Sequence, residues 1–109
     1  MEGMDDKLKH ALRDMRRAYE ALYGDRLVTV LLFGSQARGD ADVESDIDVL
    51  VVLRGDVDAY SEIQRTSQLD LELCLKHNVV ICPVYVSEEE FTNKKGPLLR
   101  NVRREGVPV

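Results

Sequence analysis

The segment GSQARGDADVESDI, residues 34–47, constrains this chain more than any other feature, because it is polar, acidic and enclosed by two strongly apolar runs. LVTVLLF, from Leu27 to Phe33, precedes it, and DVLVVL, from Asp48 to Leu53, follows. Both runs are rich in β-branched residues and too short for a buried helix, so each reads as a core strand. Arg54-Gly55-Asp56 closes the second as a turn.

The flanks supply helices and one more strand. From Asp5 to Tyr23, the residues Leu8, Leu12, Met15, Tyr19 and Leu22 recur at steps of four and three, which predicts an amphipathic helix. Asp5 and Asp6 suit its positive end, and Gly24 supplies a left-handed stop. Asp58 to His77 lacks strand alternation and predicts a second long helix, with Ile63, Leu71, Cys74 and Leu75 on one apolar stripe. Val79 to Val86 (VVICPVYV) reads as a third strand, where Pro83 implies an edge or a bulge. Ser87-Glu88-Glu89-Glu90 fits a capping box, with a short helix beginning near Phe91. Asn93-Lys94-Lys95-Gly96 looks like a loop, and Leu98, Leu99 and Val102 suggest a last amphipathic turn or two before Gly106. Strands alternating with helices predict an α/β or α+β architecture, with helices covering a small sheet in one domain over residues 1–109.

Composition narrows the function classes. A formal net charge of −5 argues against broad nonspecific nucleic-acid binding, because phosphate backbones are gripped mainly by Lys and Arg. Arg100, Arg103 and Arg104 could meet RNA or an acidic partner, but such a cluster is usually a solvated helix face. No stretch approaches a membrane span and no signal peptide is evident, so the expected location is the cytoplasm. There Cys74 and Cys82 are expected as free thiols, and with His77 they make a poor zinc set. An EF-hand reading of DADVESD fails, because Ser45 stands where that loop needs Gly and Val51 where it needs Glu.

The chemistry gathers at the two strand ends. Gly34 lets the backbone turn sharply off the first strand, and Ser35 sits where a following helix would present free N–H groups to a phosphate. Arg38, one turn on, is a counter-charge for that phosphate or half of a surface ion pair, and Gly39 ends the turn. An ordinary strand-to-helix turn with Ser35 as N-cap is compatible with the same residues. Asp46 and Asp48, two residues apart at the opening of a strand, project from one face, where a hard cation such as magnesium would relieve their repulsion. Capping at a strand start would explain one Asp, though not the pairing with the Gly-Ser corner.

Gly-Ser, Ala-Arg-Gly and Ser-Asp-x-Asp in GSQARGDADVESDIDVLVVL resemble the signature of the minimal nucleotidyltransferases in the polymerase-β-like superfamily. The resemblance implies the nucleotidyltransferase fold, with Gly34 and Ser35 at the phosphates of a nucleoside triphosphate and Arg38 and Gly39 shaping the loop. Asp46 and Asp48 would be the catalytic and metal-holding acids. It also implies a third carboxylate on the next core strand, but VVICPVYV contains no acid. Asp70 and Glu72 on the preceding helix read as solvated residues outside the site.

Two functions follow as expectations. In the first, a magnesium-dependent transferase moves a nucleoside monophosphate, ATP being the expected donor, onto a hydroxyl of a protein or small molecule. The short chain supplies the nucleotide half of the site, leaving the acceptor to a groove completed by a second protein or a second subunit in a homo-oligomer. Family resemblance implies a HEPN-type toxin as that protein, with this chain as antitoxin. In the second, a nucleotide-binding module works by masking its partner.

Overall fold

The computed structural model describes residues 6–38, 46–93 and 96–109. Helix α1, Asp6–Tyr23, buries Leu8, Ala11, Leu12, Met15, Tyr19 and Tyr23. Leu22, expected on that face, is 44% exposed, and Tyr23 turns inward in its place. Gly24 takes φ +56 and starts a short 3-10 turn, Gly24–Arg26, leading into β1, Leu27–Phe33. The four-residue helix α2, Ser35–Arg38, follows. Strand β2, Ile47–Leu53, leads through a turn to α3, Ala59–His77, and then to β3, Ile81–Ser87. Helices α4, Glu88–Asn93, and α5, Gly96–Glu105, precede a two-residue strand β4, Val107–Pro108.

The sheet runs in the order β3-β2-β1-β4. β1 is antiparallel to β2 and to β4, whereas β2 and β3 are parallel, joined by the α3 crossover. β2 is thus an inner strand, with Val49 through Leu53 fully buried. Its alternation divides the core. Val49, Val51 and Leu53 join the cluster containing the buried side of α1, while Leu50 and Val52 pack with Val86, Leu99 and Val102. Pro83 lies on an edge strand, where a missing backbone donor is tolerated, and the irregularity in the ladder falls in β1 between Leu27 and Thr29.

The anticipated apolar stripe of α3 does not face the core. Ile63, Leu71 and Leu75 are exposed, while Glu62, Thr66 and Leu73 are buried, with Leu69 and Cys74 packed partly against the cluster. Polar pairing turns the helix this way. The Thr66 hydroxyl bonds the Tyr85 hydroxyl at 2.6 Å, which meets the Tyr19 hydroxyl at 2.9 Å, and Tyr19 donates to Asp70 at 2.7 Å. Tyr23 donates to Glu62 at 2.8 Å, and Arg26 reaches the same carboxylate at 3.2 Å. Periodicity finds a stripe, but cannot tell which face of a helix will find hydrogen-bond partners under it.

Two further features position the ends of the chain. The capping box closes as expected, Glu90 N–H donating to Ser87 Oγ at 3.0 Å and Ser87 N–H to Glu90 Oε1 at 3.2 Å, but the helix begins at Glu88. Arg103 clamps α5 to α4, donating to the Phe91 carbonyl at 2.6 Å with its guanidinium 4.8 Å from the Phe91 ring centre. It is therefore a structural tie rather than a solvated member of a basic face. Lys94 and Lys95 of the expected loop lie outside the described residues.

Candidate functional site

The antiparallel pairing of β1 with β2 sets Phe33 directly against Asp48, so the end of one strand meets the start of the other. The Gly34 corner and the Asp pair, fourteen residues apart at Asp48, are thereby adjacent in space. Gly34 has φ +74, a conformation L side chains rarely adopt. A Cβ at Gly34 would also stand 2.6 Å from Asp48 Oδ2, well inside contact distance. Backbone shape requires glycine here, and any Cβ would force the Asp48 carboxylate to move. The Arg38 N–H donates to the Gly34 carbonyl at 3.2 Å, closing the single turn that follows. Gly39 and the Ser35 side chain lie outside the described residues.

Asp48 is half-buried and Asp46 exposed, on the sheet face that carries Leu50 and Val52. Burial holds the Asp48 carboxyl above its ordinary value, and the charge of Asp46 pushes it further the same way. The charge of Asp46 thus opposes ionisation of Asp48, a repulsion a cation would relieve. Among the described residues no group of three or more His, Cys, Asp or Glu could hold a metal. Two carboxylates alone suit magnesium in its usual form, with substrate phosphates and water completing the shell.

Arg38 does not stand alone at this corner. Its guanidinium lies 3.4 Å from a Glu105 carboxylate oxygen at the end of α5, giving the ion-pair alternative a definite partner. Cys82 is the other neighbour that sequence reasoning missed. It is register partner to Asp48 on β3, so the strand expected to carry a third acid presents a thiol there. Burial, followed by the charges of Asp46 and Asp48, raises that thiol above its ordinary pKa. The parallel register carries this neighbour relation, and neither residue signals it alone. Both cysteines are free. Asp70 is not a solvated helix residue: it is half-buried and bonded to Tyr19 on the α1 side of the sheet, and burial raises its carboxyl above its ordinary value. Glu72 is exposed, accepting a bond from Gln68. Neither joins Asp46 and Asp48.

A small mixed sheet covered by helices, with a glycine corner pressed against an Asp-x-Asp pair, defines a class of nucleotide-handling domain. Residues 12–106 match the family described as "Nucleotidyltransferase domain", and the chain belongs to that family. A protein of Methanocaldococcus jannaschii named "Putative protein adenylyltransferase" is 41% identical over 97 residues, covering 88% of this chain and 91% of that protein. A solved structure described as a "putative minimal nucleotidyltransferase" superposes with a TM-score of 0.63 at 28% identity, over 100% of both chains. Another, "the toxin-antitoxin with AMP-PNP", shares the fold with a TM-score of 0.58 at 20% identity, covering 99% of this chain and 72% of the other. Among the described residues, no helix is long and apolar enough to cross a membrane.

Proposed function

We propose that this protein is a magnesium-dependent nucleotidyltransferase that moves the nucleoside monophosphate of ATP onto a hydroxyl of a protein. The observation that carries the proposal is the close approach of the Gly34 backbone to the Asp48 carboxylate, which puts the glycine corner beside the acid pair. Membership in the nucleotidyltransferase family and kinship with a protein named as an adenylyltransferase support it. On this reading Gly34 and Ser35 receive the triphosphate, and Arg38 exchanges Glu105 for a phosphate oxygen. Asp46 and Asp48 hold magnesium, which when bound offsets charge on the reacting phosphates. The acceptor oxygen forms a bond to the α-phosphorus as the bond to the bridging oxygen breaks. Pyrophosphate leaves with that electron pair. With no acid on β3, the acceptor proton passes to solvent.

The acceptor would lie on a partner protein. A HEPN-type toxin is the partner implied by resemblance, and the toxin-antitoxin neighbour supports a role of that kind. Cys82 beside Asp48 favours the second reading, a module that keeps the pocket but acts by masking its partner. Incubation of the protein and copurifying partners with magnesium and ATP, labelled at either the α- or the γ-phosphate, separates the two. Transfer of the α label alone, lost in Asp46→Asn/Asp48→Asn, is expected. Partner binding without transfer of either label would leave the masking module as the function.

A further inference from the structure

A groove runs between α1 and the β4 edge of the sheet, on the side that carries Leu32 and away from the face that carries Asp48. Its volume is about 380 Å³, within the range of cavities that take a ligand. Leu12, Leu32, Pro108 and Val109 give it an apolar floor, and among the described residues no aromatic ring lines it. Lys9, Arg13 and Arg17 form its exposed rim. They follow one another at i, i+4 and i+8 along α1, so three like charges stand in a row, one turn or about 6 Å apart. Like charges at that spacing oppose the helix that carries them. Among the described residues Lys9 and Arg17 have no ion-pair partner. Arg13 lies 3.8 Å from Asp14, a carboxylate already held by His77 at 2.8 Å and Lys76 at 3.1 Å. Arg16, also on the groove, is committed to Glu20 at 3.5 Å and to the Val109 carbonyl.

We propose that this groove binds a short acidic peptide segment of a partner protein, held extended with its carboxylates along the rim and an aliphatic side chain on the floor. Charge complementarity names the acid. In a chain of net charge −5, the row of cations is a local positive strip whose self-repulsion an anion laid along it would relieve. Spacing suits an extended occupant, because alternate side chains of a strand lie roughly 6.7 Å apart on one side, close to the ~6 Å between successive cations. The residues between them then face the floor. An aliphatic side chain fits there, since Leu12, Leu32, Pro108 and Val109 offer no polar side chain and the arginine stems add apolar wall. Single-stranded nucleic acid is also an anion, but it takes much of its binding from stacking on aromatic rings, which the described lining lacks. The groove and Asp48 lie on opposite faces of the sheet, so an occupant does not compete for the acid pair. The inference therefore goes beyond the transfer reaction and does not depend on it.

Fluorescence anisotropy of a labelled peptide, with Glu at alternate positions and a central Leu, reads the binding in the absence of nucleotide and metal. The full chain is expected to bind it, with an affinity that falls as salt is added. Replacing the Leu of the peptide by Ser should weaken binding several-fold. Arg13→Glu should weaken it at least tenfold without lowering Tm, because the new acid stands at i+4 from Lys9 and i−4 from Arg17 and turns a repelling row into an attracting one. No binding, equal binding by Arg13→Glu, or equal binding of the Leu and Ser peptides would each overturn the proposal. So would a labelled single-stranded oligonucleotide that binds more tightly than the peptide and is lost in Arg13→Glu, an outcome that would assign the groove to nucleic acid.

Discussion

At the residue scale, Gly34 and Asp48 form one unit, and its two halves can be tested separately. Gly34→Ala combines an unfavourable positive φ with a collision against Asp48 Oδ2, whereas Gly55→Ala has the same backbone problem at φ +81 with nothing within 4 Å. Both should lose about 1–3 kcal/mol of stability in denaturant titrations. Only Gly34→Ala should also abolish the thermal stabilisation produced by magnesium and ATP, and an equal effect in both variants would separate the corner from nucleotide binding. Asp48 carries a pH signature as well. Its carboxyl is held above its unfolded value, so the folded state binds that proton more tightly. The stability this contributes is present below the unfolded pKa and is lost as pH rises through the folded one. In metal-free protein, Asp48→Asn should therefore raise Tm at neutral pH, with the gain shrinking toward about pH 4, near the unfolded carboxyl pKa. A gain independent of pH would rule out this electrostatic origin. The glycine and both acids were legible in the sequence because they follow one another along the chain. Cys82 and Glu105 were not, since only strand register and the return of α5 bring them to the corner.

At the scale of elements, local signals were most legible where a short-range hydrogen bond decides the outcome. The capping box at Ser87 and Glu90 was evident from four consecutive letters, and both of its bonds form. Ser87→Ala should cost about 1 kcal/mol, a loss read by chemical denaturation, with Ser87→Asp restoring most of it. No recovery with Asp would mean that Ser87 acts through packing rather than by capping. β4 had no such signal: two residues are too few for periodicity, and the strand exists because β1 offers Leu31 and Leu32 for pairing. The orientation of α3 was misjudged for a related reason. Its interior side is chosen by bonds from Glu62, Thr66 and Asp70 to tyrosines on α1 and β3, contacts between segments far apart in sequence.

Over the whole molecule, β2 is the element on which both cores depend, since its alternate side chains enter opposite clusters. Leu50 belongs to the cluster shared with α5, and the buried Tyr19, Tyr23 and Tyr85 all belong to the other. With no tryptophan in the chain, tyrosine emission reports chiefly on the α1 side of the sheet, while far-ultraviolet circular dichroism averages over every helix. Leu50→Ala removes a fully buried side chain and should cost about 2–5 kcal/mol. Because the same strand backbone supports both faces, the loss should move the tyrosine and dichroism transitions together, as one cooperative unit. If dichroism fell first while tyrosine emission held, the α4 and α5 layer would be a separately melting unit laid on a stable α1–α3 half. That layer ends in Glu105, whose carboxylate lies 3.4 Å from the Arg38 guanidinium, so its independent opening would remove that contact beside the Gly34 corner. A coincident shift instead keeps α5, and with it Glu105, at the corner for as long as the chain is folded, and nucleotide would have to displace Glu105 from Arg38 directly.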